Sequence, residues 1–348
     1  MLSKLLEIAK EQKASDLHFS ASAKPKIRID GSLVNIEDSE ILHPDEIKDV
    51  AYSILTKENK DALDLNGDVD FACDFDNSRL RVNIYKEQQG LSIAIRILPK
   101  EIPTLVDLSM PNIIKEIASL KRGLVLITGA TGSGKSTTLA AILDYINTTR
   151  KEHIITIEDP IEYIHTHKNC IVNQREVGRD VTSLERALRS SLRQDPDIIF
   201  LGEMRDMKTT QTALTAAETG HLVFSTLHTN GAADSINRII DMFPHGAREQ
   251  IKTQLASTLK GVITQRLIKK DNSIGRVAAL EVMIVNQAIK NLIREDKTHH
   301  INQTIQTHMN IGMQCIDHRL AQLHKKKIIS YDDAIAHCTD INVFKQFL

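Results

Sequence analysis

The chain has 348 residues, 41% of them hydrophobic, and a formal net charge of -1 at pH 7, which suits two domains of ordinary size with real cores. That near-neutral charge, with Lys325 to Lys327 as the longest basic run, argues against a chain that binds nucleic acid directly. The four cysteines, Cys73, Cys170, Cys315 and Cys338, are too scattered for a zinc or disulfide pattern, and no segment approaches a signal peptide or a membrane span. A reducing, cytoplasmic setting is therefore expected, with any membrane role coming through partners.

In chain order, "KPKIRIDGSLVNI" predicts a strand, an Asp30-Gly31 turn and a second strand, and "DVDFACDF" and "RLRVNIYKEQQGLSIAIRIL" add alternating strands. An amino-terminal α+β domain is expected over residues 1–98. Within it, Leu80, Val82 and Ile84 alternate with Arg81 and Asn83, and Ile93, Ile95 and Ile97 alternate with Ala94 and Arg96. A turn centred on Gln88-Gln89 makes the numbers of opposite residues sum to 177, which sets Arg81 against Arg96. Like charges placed so destabilise a sheet unless something negative lies between them. That could be an anionic ligand, with ATP on the second domain as the candidate, or Asp70 or Asp74 on the preceding strand.

Pro99, Pro103 and Pro111 break any regular element and predict a linker over 99–111. Beyond it, apolar strands at Leu124 to Thr128, Ile154 to Ile157, Ile198 to Leu201 and Leu222 to Leu227 alternate with helical stretches, the pattern of a parallel sheet covered on both faces. This core is expected over 112–285. Its first strand runs into "GATGSGKST", where Gly129, Gly134, Lys135 and Ser136 fit the phosphate-loop spacing between a strand and a helix. Glycines let such a loop wrap its N–H groups around phosphate oxygens, and the helix presents its positive end to the same anion. Nucleotide contacts are expected from Gly129, Thr131, Gly132, Ser133, Gly134, Lys135, Ser136 and Thr137. Lys135 would reach the β and γ phosphates, and Ser136 would ligate magnesium.

Two further strand ends carry acids. "IITIEDPIEY" places Glu158, Asp159 and Glu162 beyond a strand, at the edge where open parallel sheets collect ligands. "DPDIIFLGEMRD" runs an apolar strand through Gly202 to Glu203, as a magnesium-binding strand of a nucleotide hydrolase would. In "GHLVFSTLHTN", His221 and His228 flank one strand, so they stand about 23 Å apart and only His228 shares an edge with the phosphate loop. His221 is expected to be structural or interfacial. From Asn286 the pattern is helical over 286–348, with Ala288, Leu292, Ile305, Met309, Ile316, Leu320 and Leu323 as apolar positions.

Taken together, "SDLHF", "IRIDG", "RVN", the phosphate loop, "IEDPIEY", "LRQDPDIIFLGEMRD" and "STLHTNGA" resemble the secretion ATPase superfamily and, within it, the retraction ATPases of twitching motility. The resemblance spans nearly the whole chain. It implies an α/β fold with a RecA-like P-loop ATPase core, an amino-terminal α+β (PAS-like) domain and a helical carboxyl-terminal segment. It also implies ATP and Mg2+ as cofactors, Glu203 as the magnesium-side carboxylate, Glu162 as the general base, and His228 as a γ-phosphate sensor. Arg81 and Arg96 would then help complete a nucleotide site in a homo-hexamer that works against an inner-membrane platform protein at the cytoplasmic face of that membrane. "AIKNLIRE", Ala288 to Glu295, resembles a segment tied to pilus retraction, with Lys290 where the family has arginine. Leu292 and Ile293 are expected on its working surface. Pilus-assembly, type II secretion and DNA-translocating or conjugation-type ATPases share the core and are the alternatives.

Overall fold

The computed structural model describes residues 1–29, 31–37, 39–98, 100–271 and 275–348, so Asp30 of the expected turn and Pro99 of the expected linker lie outside the described residues. The chain divides into two compact units, Met1–Glu101 with Pro160–Ile164, and Ile102–Asp159 with His165–Leu348.

The first unit holds strands β1 (Asp16–Phe19), β2 (Lys26–Ile29), β3 (Ser32–Asn35), β4 (Asp68–Phe75), β5 (Ser78–Glu87) and β6 (Gly90–Leu98). They form one sheet in the order β3-β2-β1-β6-β5-β4, with antiparallel pairing throughout. Alternation decides its faces: Leu17, Phe19, Ile27, Leu80, Val82, Ile84, Ile93 and Ile95 point into the core. Helix Leu2–Glu11 supplies Leu2, Leu5, Leu6 and Ala9 to that core at the spacing of one helical face, and helix Pro44–Ile54 supplies Ile47, Val50 and Ala51. The β5–β6 register follows the sum of 177 along its length, from Arg79 opposite Leu98 to Glu87 opposite Gly90, so Arg81 does face Arg96.

Between Leu98 and Ile113 the described residues form no helix or strand. The second unit is built on β7 (Gly123–Thr128), β8 (His153–Glu158), β9 (Ile171–Glu176), β10 (Ile198–Leu201), β11 (Leu222–Leu227), β12 (Leu259–Lys269) and β13 (Arg276–Ile284). The sheet order is β13-β12-β7-β11-β10-β8-β9, parallel except for β13, which runs against β12. Every residue of β7, β10 and β11 is buried, because helices cover both faces. Strands β9, β12 and β13 were not among the expected ones, and β12 is the neighbour of the strand that feeds the phosphate loop.

Helices Gln287–Arg294, Ile301–Thr307, Ile316–Lys325, Tyr331–His337 and Ile341–Gln346 occupy the carboxyl-terminal region. One expectation there is corrected. In Gln287–Arg294 the core face is Ile289 and Ile293, four residues apart and fully buried, while Ala288 is exposed and Leu292 only partly covered. Leu292 can serve a surface; Ile293 is core.

Candidate active site

The loop between β7 and helix Lys135–Thr149 has three glycines at positive φ, Gly129, Gly132 and Gly134. Two of them are also sterically required. A Cβ on Gly129 would lie 2.4 Å from the Gln265 carbonyl oxygen, and one on Gly134 would lie 2.8 Å from Gln265 Nε2. The loop is thus pressed against β12, and Gln265, almost fully buried, holds it there. Its amide donates to the Ser133 carbonyl at 2.6 Å and its Oε1 accepts from Thr138 Oγ1 at 2.6 Å. A step earlier, Thr128 Oγ1 and Thr264 Oγ1 share a buried hydrogen bond of 2.9 Å. Gln265 was missed by the sequence reading, and the signal was there: three polar residues, Thr264, Gln265 and Arg266, interrupt an apolar strand run in "VITQRLI".

Lys135 is buried, and its ammonium donates to the carbonyls of Gly129 at 2.8 Å and Ala130 at 3.0 Å. It is therefore held at the mouth of the loop whose phosphates it would meet. Ser133 Oγ is buried without a hydrogen-bond partner among the described residues, a group suited to an incoming acceptor. Ser136 follows Lys135 in the helix's first turn, where backbone N–H groups and the helix dipole favour an anion.

Across the same sheet edge, β10 ends at Leu201 and the chain turns at Gly202, whose N–H donates to Ile157 O at 2.8 Å and whose carbonyl accepts from Thr226 Oγ1 at 2.6 Å. That turn sets Glu203 facing the end of β11. Glu203 Oε2 accepts from Arg205 Nε at 2.8 Å and lies 3.5 Å from His228 Nε2, while His228 Nδ1 lies 3.4 Å from Thr131 Oγ1. The loop tip, Glu203 and His228 thus form one continuous chain of polar contacts. Glu203 Oε1 has no hydrogen-bond or ion-pair partner among the described residues, so Glu203 and Ser136 are the residues that could hold a hydrated cation, which magnesium permits because it usually takes only one or two protein carboxylates. They would hold such an ion with few protein ligands.

The segment after His228 is pinned twice. The Ala232 N–H donates to Glu281 Oε1 at 2.8 Å, and Thr229 Oγ1 and Ser235 Oγ are 2.7 Å apart. Burial pushes the Glu281 carboxyl up from its ordinary value, and the Ala232 N–H and nearby Arg266 pull the other way. His221 is at the far end of β11, its Nδ1 3.0 Å from the Ala216 carbonyl and its own carbonyl accepting from Gly123 N–H at 3.0 Å, so it acts on packing there.

The other expected acids separate. Glu158 ends β8 and is buried, its Oε1 accepting from Thr156 Oγ1 at 2.6 Å and Gln174 Nε2 at 3.1 Å. Glu162 belongs to the short segment that groups with the first unit. There Arg79 donates to the Ile161 carbonyl at 3.4 Å, and an Arg81 nitrogen lies 3.8 Å from Glu162 Oε1. The arginine pair has its counter-charges within the chain. Arg81 forms a two-point pair with Asp70, at 2.7 and 3.3 Å, and Arg96 meets Asp16 at 2.9 Å. Asp74 binds Arg79 at 3.1 Å. Asp70 was one of the expected counter-charges; Asp16 was not foreseen.

Comparison with known proteins agrees with this geometry. The family model for "Type II/IV secretion system protein" matches residues 1–326. The chain is 46% identical over 334 residues to the "Type IV pilus retractation ATPase PilT" of Pseudomonas aeruginosa, covering 96% of each chain. It is 44% identical to a "Twitching motility protein" of Neisseria gonorrhoeae, over 90% of this chain and 84% of that one. A crystal structure of the pilus retraction motor PilT with bound ADP superposes with a TM-score of 0.89 at 46% identity, over 99% of this chain and 98% of that one. The expected fold class, a RecA-like P-loop core with an amino-terminal α+β (PAS-like) domain and a helical carboxyl-terminal segment, holds. With phosphate loop, acid strand and histidine segment on one sheet edge and the whole-length similarity just described, the chain belongs to the type II/IV secretion system protein family.

Proposed function

We propose that this chain is a motor ATPase that hydrolyses ATP to ADP and phosphate to drive type IV pilus retraction. The observation that carries the reading is the contact chain from Thr131 through His228 to Glu203 in a protein so similar over its whole length to a retraction ATPase. Glu203 and Ser136 would hold Mg2+, which, when bound, neutralises charge on the β and γ oxygens. Lys135 exchanges the Gly129 and Ala130 carbonyls for phosphate oxygens, a stronger, charge-assisted partner. His228, 3.4 Å from the loop tip at Thr131, would report whether a γ phosphate is present. Glu162 takes the proton of the attacking water, and Arg81 and Arg96 add positive charge to a site completed in a hexameric ring. Catalysis of this kind is positioning and charge neutralisation. The ring would work on a platform protein at the cytoplasmic face of the inner membrane, with residues 99–111 as the hinge between the domains 1–98 and 112–285; no helix of the described residues is long and apolar enough to cross a membrane.

The test is a set of three variants. Lys135→Ala should abolish hydrolysis, and Glu162→Gln should bind ATP yet stall, since the amide keeps the shape and loses the base. Activity retained in Glu162→Gln but lost in Glu203→Gln would reassign the base. Deleting the gene in its host should leave surface pili and abolish twitching; loss of pili would point to assembly, and DNA-stimulated turnover to a translocase.

A further inference from the structure

Adjacent residues of β12 point to opposite faces of the sheet, and both polar ones reach the active-site edge. Gln265 holds the phosphate loop. Arg266, on the other face, donates to the Asn230 carbonyl at 3.3 Å, to the His337 carbonyl, and to Thr339 Oγ1 at 3.4 Å. Asn230 is two residues beyond His228. His337 ends the helix Tyr331–His337 and Thr339 lies between it and the last helix, where the buried carboxylate of Asp317 accepts from the N–H groups of Thr339 at 2.7 Å and Asp340 at 3.3 Å. One planar guanidinium therefore joins the histidine segment to the carboxyl-terminal helices, a geometry that arginine's fixed fork provides and a single-point cation does not.

We infer that Arg266 is a positioning residue for ATP hydrolysis, clamping the segment Thr229–Asn230 to the carboxyl-terminal helices so that His228 is held between Thr131 and Glu203. The segment is then gripped at two points beyond His228, by Arg266 at Asn230 and by Glu281 at Ala232, so that the backbone carrying His228 is tied to the carboxyl-terminal region that contains His337 and Thr339. The carboxyl-terminal helices become the anchor against which the γ-phosphate state is read. This inference rests on the role proposed above for His228.

The experiment is a double-mutant cycle in the full-length chain: Arg266→Ala, His228→Ala and the double variant, assayed for steady-state ATP hydrolysis and melting temperature. Arg266→Ala should lower kcat roughly tenfold with KM changed less than about twofold, the signature of a group that acts after binding. Arg266→Lys, which can meet one or two of the three acceptors, should recover part of the loss. In the double variant the losses should not multiply, since Arg266 acts through His228. A rate loss that multiplies with His228→Ala, or wild-type kcat in Arg266→Ala, overturns the inference. A fully active His228→Ala overturns it together with the role given to His228, whereas Lys135→Ala tests ATP hydrolysis independently. If the alanine variant does not fold, the cycle is run with Arg266→Lys against the same criteria.

Discussion

Gln265→Ala tests how the phosphate loop is held. The side chain is 2% exposed and makes two buried hydrogen bonds, one to Ser133 O and one from Thr138 Oγ1. Truncation leaves a carbonyl and a hydroxyl without partners, and each such group costs about 1–3 kcal/mol. A water entering the vacated space would recover part of this, so a net loss of about 3 kcal/mol is expected. For a domain of this size that corresponds to a fall in melting temperature of roughly 6–12 °C. The larger effect should be on the nucleotide, because the loop loses the anchor that places the Ser133 peptide. ATP affinity should drop tenfold or more by roughly the cost of one such bond, and the ATP-induced rise in melting temperature should shrink with it. Gln265→Glu separates the two bonds: it still accepts from Thr138 but sets a buried carboxylate oxygen against the Ser133 carbonyl, so it should bind ATP at least as poorly as the alanine variant and be no more stable than it. Calorimetry on the purified chain with and without ATP reads both quantities. Wild-type affinity and stability in Gln265→Ala would refute the reasoning.

Arg81→Ala should change the melting temperature little, because its pair with Asp70 is partly exposed and worth at most about 1 kcal/mol, while repulsion from Arg96 is relieved. Hydrolysis should fall clearly, and mixing Arg81→Ala with Lys135→Ala subunits should restore part of it if sites are shared between chains; near-normal turnover of Arg81→Ala alone would confine the arginine to its carboxylates. Leu292→Ser should leave ATPase activity and stability close to wild type and abolish twitching, whereas Ile293→Ser should unfold the region at a cost of several kcal/mol, as buried polar replacements do; a reversed order would place the working face elsewhere. His165 is buried with an unpartnered Nδ1, and burial pushes its imidazole down from 6.5 to about 4. Because the unfolded chain takes up the proton first, stability is full above pH 6.5 and is lost as the pH falls toward 4, by ~2 kcal/mol at pH 5 from this group alone. Denaturant titrations at pH 7.5 and 5 should show that slope, and His165→Phe should remove it; an equal slope in both proteins would exclude His165 as its source.

Much of this chain is written in short-range pattern. The period-2 alternation of residues 80–97 and the length of its turn suffice for the register that sets Arg81 against Arg96, because a slip of one residue would turn every isoleucine of β6 to the wrong face. The phosphate loop is equally local: glycines at positive φ, a strand before and a helix after. The helical region from Asn286 was legible as helical but not as to face, since Ala288, Ile289, Leu292 and Ile293 offer two apolar stripes one residue apart, and only the packing of the helix against the core selects Ile289 and Ile293.

What tertiary structure alone decided concerns partners distant in sequence. Strand β12 lies next to β7 although more than a hundred residues separate them, and this pairing, which no local period encodes, brings Gln265 to the loop and Arg266 to the histidine segment. The counter-charge of Arg96 is Asp16 because β1 pairs with β6 across the whole domain, so that Asp16 stands directly opposite Arg96. Glu162 is read in sequence beside a core strand but groups in space with Arg79 and Arg81. A motif specifies which groups can do chemistry; the sheet order specifies which of them meet, because hydrogen bonds and charges act over a few ångströms of space irrespective of their distance along the chain.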